Sequence, residues 1–419
     1  MALKEDPEVK LEMSRNGYYR LVIMAKGFGP LVLNPQQQRE SQILRKSVLQ
    51  HFQHLADPRT GRRKDHNLVA MMTIGILAVL CGADGFVAIE TYGKANQGWL
   101  ETFLDLPFGI PSHDTFGRVF GRLDPQELQN SFLGWISSIT EKLGLQLIHI
   151  DGKTAKGSYD REGELKALHS VSAWSSEWGL VLAQQKVESK SNEITAVPLL
   201  LKLLNLKGAI VTLDAMGTQI EIARQIKEAE GEYVLALKGN QGKLNLQVET
   251  WFKQAESQNW QGIELTYHQT VEAGHHRIET RQVWAVPVSQ LPPLHRQSQW
   301  LGLTSLIMVR STRQLWNKTT TEVRFYLSSL AADAQRHNQV IRSHWSIENS
   351  LHWVLDVTFN EDASRVRQGY AAENLGLLRR LSVNLLKRET SKLSLKMKRY
   401  RAGMDKNFLM QILAASASE

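Results

Sequence analysis

QLIHIDGKTAKGS, residues 146–158, sets a strand-like apolar run against an aspartate, Asp151, followed by a glycine and two lysines. Short β-prone runs bounded by turn formers have the length and composition of strands. The same grammar recurs 63 residues later, where the apolar run of IVTLDAMGTQ (210–219) ends at Asp214. Asp151 and Asp214 thus close the first and fourth strands of an alternating βββαβαβα order. If those strands are neighbours, both carboxylates emerge from one edge of a sheet. Gly152 is expected to let the backbone turn away, and Lys153 to approach an anionic ligand. Ala215 and Gly217 are expected to leave room beside Asp214. A plainer alternative stands beside this one: an aspartate also caps a turn or the next helix.

A third acid, Glu348, lies in RSHWSIENSLHW (342–353), within a helix expected over 339–355. His344 and His352 share its face at four-residue spacing. Three convergent carboxylates suit hard divalent cations, which take oxygen ligands. A zinc site built on the His344–Glu348–His352 stripe is the competing reading. Asp356, eight positions on, is about 12 Å away along a continuous helix, too far to share one ion with Glu348. Glu361 and Asp362 are expected to pair with Arg365 and Arg367. Trp345 and Trp353 have two readings, core packing or stacking on an unpaired base. Lys238, ending the strand-like YVLALKG, and Arg342 are candidate phosphate contacts.

Around these segments the pattern assigns strands to 168–175 and 179–187, a helix capped by Asn192, and further helices from 217 and 240. Strand-like stretches between about 260 and 332 read as a β-rich insertion. Residues 41–145 read as a helical domain in which Ser112 caps a short helix carrying Arg118 and Arg122. That helix has two readings, a helix-turn-helix reader or an ordinary amphipathic helix. Residues 1–40 stay unassigned, with a hairpin expected over 18–33. A basic helix and tail are expected over 391–419, after a domain spanning 146–390.

The chain has 419 residues and a net charge of +8, and its hydrophobic content of 42% is that of a globular protein with a proper core. Charge is concentrated: between Arg365 and Arg401 eleven Arg or Lys face only Glu373 and Glu389, a local balance of +9. Such a block, including Arg365, Arg367, Arg379 and Arg380, suits phosphate backbones, with a solvated charged tail as the alternative. The single cysteine, Cys81, rules out an internal disulfide or a cysteine zinc cluster and reads as a small core residue. The apolar run 68–83 is short for a membrane span and reads as a buried helix. With an acidic start where a signal peptide carries positive charge, a cytoplasmic protein is expected.

HIDGKTAKGS, TLDAMGTQ, YVLALKGNQ and the long run 342–387 together resemble the H-repeat-associated group of bacterial insertion-sequence DDE transposases. LADPRTGRRKDHNLVAMMTIGILAVLCGADGFVAIETYGK (55–94) is similar to that group's preceding helical domain, and the likeness runs from about 42 to about 390. The resemblance implies an RNase-H-like catalytic domain with Asp151, Asp214 and Glu348 as its acidic triad. It also implies two Mg2+ or Mn2+ ions, cleavage of double-stranded DNA at element ends, and attack of the freed 3′ hydroxyl on target DNA. A homodimer or higher assembly on DNA is implied as well. The Tyr–Arg–Glu–Lys pattern of related cut-and-paste enzymes is not kept: Ile341, His344 and Leu355 stand at its other three positions. The rival functions are a transposase-derived DNA-binding protein without catalysis and a metal-dependent nuclease without strand transfer.

Overall fold

A computed structural model describes residues 9–13, 19–23, 35–44, 46, 50–61, 64–140, 146–159, 166–188, 191–274 and 277–415. In chain order the elements begin with β1 (Val9–Met13), β2 (Tyr19–Ile23), α1 (Pro35–Leu44), α2 (Gln50–Phe52) and α3 (Leu68–Leu80). Next come α4 (Phe86–Ala95), α5 (Gln97–Leu100), α6 (His113–Arg122), α7 (Pro125–Thr140), β3 (Leu147–Ala155), β4 (Leu168–Ser175) and β5 (Leu180–Lys186). They continue as α8 (Glu193–Leu201), β6 (Ile210–Leu213), α9 (Ile220–Glu228), β7 (Glu232–Leu237) and α10 (Gly242–Ser257). The rest are β8 (Thr266–Gly274), β9 (Arg277–Pro287), β10 (Ser305–Leu315), β11 (Lys318–Ser328), α11 (Ala334–His344), α12 (Trp353–Val357), α13 (Ala371–Arg388), α14 (Leu395–Met404) and α15 (Lys406–Ala414).

These elements form two compact units, one of Leu143–Thr154 with His169–Trp353, the other of Met1–Lys142, Ala155–Leu168 and Val354–Glu419. The first unit is a mixed α/β body around a nine-stranded sheet ordered β5-β4-β3-β6-β7-β11-β10-β9-β8. β3, β6 and β7 pair in parallel, while β7 with β11 and the meander β11-β10-β9-β8 are antiparallel. The β-rich stretch expected as an insertion therefore continues the same sheet, because β11 pairs directly with β7. β6 is buried at every position, as an apolar IVTL strand covered on both faces must be. α8 starts where Asn192 accepts from the Ile194 N–H at 3.1 Å, the N-cap expected from the sequence. α11 buries Val340 and Ile341 among Ile210, Val234, Val283 and Ile307, which fixes this helix on the sheet.

In the second unit α3 is buried along nearly its whole length and capped by Asn67. No helix among the described residues is long and apolar enough to cross a membrane. Ser112 caps α6, accepting from the Thr115 N–H at 3.3 Å, and Phe116, Val119 and Phe120 turn inward. α13 packs on α3, α6 and α7, so the helical core is built from both ends of the chain. The division expected near residue 390 does not separate compact units, since residues 354–419 group with the N-terminal helices. Near the N-terminus Tyr19–Ile23, inside the stretch expected as a hairpin, pairs antiparallel with Val9–Met13 upstream of it, and residues 24–33 of that stretch lie outside the described residues. Burial pushes the Cys81 thiol up to about 12, consistent with a packing role.

The basic block is not one exposed stripe. Arg379, Arg380, Lys398 and Arg399 are buried. Arg380 meets Glu361 at 3.0 Å, and Arg379 lies 3.8 Å from the same carboxylate and bonds the Asp84 carbonyl at 3.0 Å. Arg399 donates to the carbonyls of Val79 (2.9 Å) and Ala83 (2.8 Å) and reaches Asp84 at 2.8 Å. It thus adds side-chain donors to carbonyls at and just beyond the end of α3. Composition counts charges but not their direction, so Arg379 and Arg380 are corrected from phosphate contacts to internal ion-pair members. Glu361 pairs with both of them, and Asp362 meets Lys156 at 2.9 Å. Removing one partner from such a cluster strands buried charge. Glu361→Gln is expected to destabilise this unit by about 3–5 kcal/mol in urea unfolding, and a change within about 0.5 kcal/mol would refute that role.

A candidate metal centre beside two parallel strands

The β3–β6 ladder pairs Leu147 with Ile210, Ile148 with Val211, His149 with Thr212 and Ile150 with Leu213. One residue further, Asp151 and Asp214 stand side by side. The expected neighbouring strands are therefore present, with one correction. Asp151 does not end its strand, because β3 continues to Ala155, whereas β6 stops just before Asp214. The Asp214 carboxylate accepts from the Gly217 N–H at 3.1 Å.

Glu348 arrives differently from the expectation of one continuous helix. α11 ends at His344, and Glu348–His352 form a π-helical turn that leads into α12. Such single-turn π segments recur at functional sites because the extra residue re-aims side chains. The Trp174 indole donates to Ser346 Oγ at 3.1 Å and ties this segment to β4. His352 Nδ1 lies 3.4 Å from Glu348 Oε2 and 3.6 Å from Asp151 Oδ2. Asp151, Glu348 and His352 each place a ligand atom within 4.8 Å of the others. Asp214 is outside that tight group, but its charge acts on Asp151. The side chains of His352 and Asp151 are 7% and 18% exposed against 52% for Glu348, so the cluster opens to solvent on the glutamate's side.

Burial is the largest cause that pushes the Asp151 carboxyl up, to about 8, followed by the Glu348 charge and a hydrogen bond with Glu348. Asp214 is also raised, by burial first, with Glu193 adding to the shift and Lys238 opposing it. Asp151, desolvated and hydrogen-bonded to Glu348, therefore keeps its proton at neutral pH. That is the electrostatic state a cation would relieve.

Sequence reasoning missed the part played by Glu193. It opens α8, where an acidic first turn reads simply as matched to the helix dipole. In the fold its carboxylate accepts from His169 Nε2 at 2.7 Å, while His169 Nδ1 meets Thr154 Oγ1 at 2.8 Å. A Cβ on Gly152 would stand 2.1 Å from Glu193 Oε1. Gly152 therefore serves to admit a carboxylate beside β3, not to turn the backbone away. Gly217 likewise packs against Leu213 (2.7 Å from a Cβ built there) rather than leaving a ligand space. His344 leaves the zinc stripe: the ligand group holds Asp151, Glu348 and His352 without it, and its Nδ1 bonds Thr212 Oγ1 at 2.7 Å. His352, in the sequence a member of the competing zinc stripe, is the histidine that joins the carboxylates.

The candidate phosphate contacts divide. Lys153 is 9% exposed within β3, so it is buried rather than presented to a ligand. Lys238 is exposed and lines a small pocket with Asp214, Arg324, Tyr326 and Trp345. Arg342 is exposed, paired with Glu272, and borders a cavity of about 780 Å³ with Arg281, Arg313 and Arg324. The Arg324 guanidinium sits 5.0 Å over the Trp345 ring. Trp353 is 58% exposed, so the core reading of that side chain fails. In the other unit Arg365 and Arg367 line a cavity of about 1450 Å³ with His113 and Arg118.

Two carboxylates and an imidazole within ligand distance of one another fit a divalent cation, with Mn2+ accepting the nitrogen more readily than Mg2+. Binding must displace the proton held on Asp151. Mn2+ binding at about pH 6 is expected to release about one proton and to tighten as pH rises toward 8, read by calorimetry in two buffers of different ionisation enthalpy. Affinity flat across that range would exclude Asp151 as a ligand. Without metal the sign for stability is opposite: the raised folded value favours the fold in acid, and this contribution is lost as pH climbs through about 8.

Residues 142–385 match the family described as Transposase DDE domain, and residues 49–136 match DDE_Tnp_1-associated. The chain is 39% identical over 375 residues to a protein of Escherichia coli O157:H7 named "Putative transposase YncI", covering 88% of this chain and 95% of that one. It is 36% identical over 378 residues to the E. coli K12 protein named "H repeat-associated putative transposase YhhI", covering 88% and 98%. A solved piggyBac transposase synaptic complex with hairpin DNA aligns over 94% of this chain and 82% of that one. At 11% identity and a TM-score of 0.38, it is too distant to bear on the site. The match over most of the chain places the protein in the DDE transposase family, in its H repeat-associated group.

Proposed function

We propose that this chain is a metal-dependent DNA transposase that cleaves double-stranded DNA at the ends of an insertion sequence and joins the freed 3′ hydroxyl to target DNA. The observation that carries the reading is the side-by-side register of Asp151 and Asp214 with Glu348 folded against Asp151. We read the β3–β7 half of the sheet as RNase-H-like, and Asp151, Asp214 and Glu348 as the residues that hold one or two Mg2+ or Mn2+ ions. Bound there, the ions would activate the attacking oxygen and stabilise the leaving oxygen of a phosphodiester.

The protein's own groups supply the rest. Asp151 would give up its proton when a cation is held there. His352, with Nδ1 3.6 Å from Asp151 and 3.4 Å from Glu348, would offer that nitrogen to the same cation. Glu348, on the open side, faces the entry path of the DNA. Lys238 and Arg324 bring positive charge beside Asp214, where a backbone phosphate would lie. Trp345 and Trp353 expose ring faces on which a base displaced at a cut end stacks. Arg342 borders the arginine-lined cavity, and Arg365 and Arg367 border the cavity of the second unit. Both surfaces suit flanking duplex held by counterion release. Two chains acting on paired ends would bring both element ends together.

Loss of a metal's supporting partners costs 10–100-fold, so loss of a direct ligand should exceed that range. Asp151→Asn, Asp214→Asn and Glu348→Gln are each expected to reduce strand transfer on element-end DNA by more than about 100-fold while leaving DNA binding in chelator unchanged. Near wild-type activity in one variant removes that residue from the set. Cut ends without joined products would favour a nuclease, and binding without any cutting a DNA-binding derivative.

A further inference from the structure

A second set of three polar side chains, on β3, β6 and the end of α11, precedes the three carboxylates by two to four residues. His149 precedes Asp151 by two residues on β3, on the same strand face, and Thr212 lies on β6 two residues before Asp214. His344 ends α11 four residues before Glu348. Thr212 Oγ1 lies 2.7 Å from His149 Nδ1 and 2.7 Å from His344 Nδ1. The chain continues to Ser176, whose Oγ is 2.9 Å from His149 Nε2. The two rings meet edge to face at 5.8 Å. His149 is fully buried and Thr212 nearly so.

One hydroxyl therefore ties the two strands to the helix. Thr212 Oγ1 has a single proton, so at least one imidazole must donate its Nδ1–H to it. Such a bond is directional and weakens steeply when bent, which fixes the helix end in both distance and rotation. Apolar packing between α11 and the sheet would tolerate small slides, whereas this shared hydroxyl does not. Burial holds both imidazoles well below the ordinary histidine range, so the bridge is made by neutral rings.

We propose that the His149–Thr212–His344 bridge is a positioning device that sets the spacing of Asp151, Asp214 and Glu348 for their cations. The inference rests on the metal site proposed above. These three are positioning residues that touch neither substrate nor metal. A purely structural bridge would lower stability when broken but leave ion affinity in the folded protein unchanged.

The test is Mn2+ binding by calorimetry to the full chain, with thermal unfolding measured in chelator. Thr212→Val removes the hydroxyl with little change of shape, and Thr212→Ser restores it. Thr212→Val is expected to weaken Mn2+ binding by about 10–100-fold, with Thr212→Ser within about two-fold of the original chain. If Thr212→Val retains affinity within about two-fold, the proposal is overturned while the metal site stands. Should Thr212→Val fail to fold, His344→Asn, which keeps an amide near the Nδ1 position, is compared with His344→Leu. Asn is expected to preserve affinity and Leu to lose it, and equal affinities overturn the proposal. An original chain whose Mn2+ binding is unaffected by Asp151→Asn overturns the metal site itself and the spacing role with it.

Discussion

Four residue pairs of parallel ladder between β3 and β6 carry the centre of this protein. Side chains alternate across a strand, so a one-residue slip would send every buried side chain of IVTL to the opposite face. Both faces around β6 are covered, and its four positions are all buried, which pins the register. Asp151 beside Asp214 is a consequence of that apolar fit. The hydrophobic core thus sets the position of the most polar part of the sheet, and the pattern of Ile and Val decides where charge meets charge.

Gathering like charges is costly, and the surrounding structure shows how the arrangement is tolerated. Asp151 keeps a proton, Asp214 takes a backbone N–H from Gly217, and His352 lies against both Asp151 and Glu348. Glu193 is held by His169 rather than left to swing into the cluster. The π-helical turn at Glu348–His352 directs Glu348 and His352 together toward Asp151. Desolvated carboxylates of this kind are stable without metal because they are partly neutral, and that same neutrality makes them responsive to a cation.

Much of the fold was legible because its strands are short, β-branched and bounded by turn formers. The expected 168–175 strand coincides with β4, and Asn192 and Ser112 cap the helices they were expected to cap. Asp214 was legible for a related reason, since a charged residue after an apolar run marks where β6 stops, whereas β3 runs on past Asp151 to Ala155. Glu348 was legible mainly through resemblance, since the helical pattern around it continues in sequence where the backbone changes to a π turn. The basic block misled, because Arg379, Arg380 and Arg399 follow the same periodicity as exposed residues yet meet Glu361, Asp84 and the end of α3. Their partners lie far away in sequence, and no local rule links them.

The sequence by itself determined much of the strand and helix order, the two aspartates that follow apolar runs, and membership of the DDE transposase family. Those depend on local composition, on spacing along the chain and on similarity to related chains. Tertiary structure decided that β8–β11 extend the main sheet, that His352 joins the carboxylates while His344 turns to Thr212, that Gly152 makes room for Glu193, and which arginines are internal. Each of these is a contact between segments far apart in the chain. Such contacts are fixed by packing, by hydrogen-bond geometry and by desolvation, and these physical quantities exist only once the segments have met.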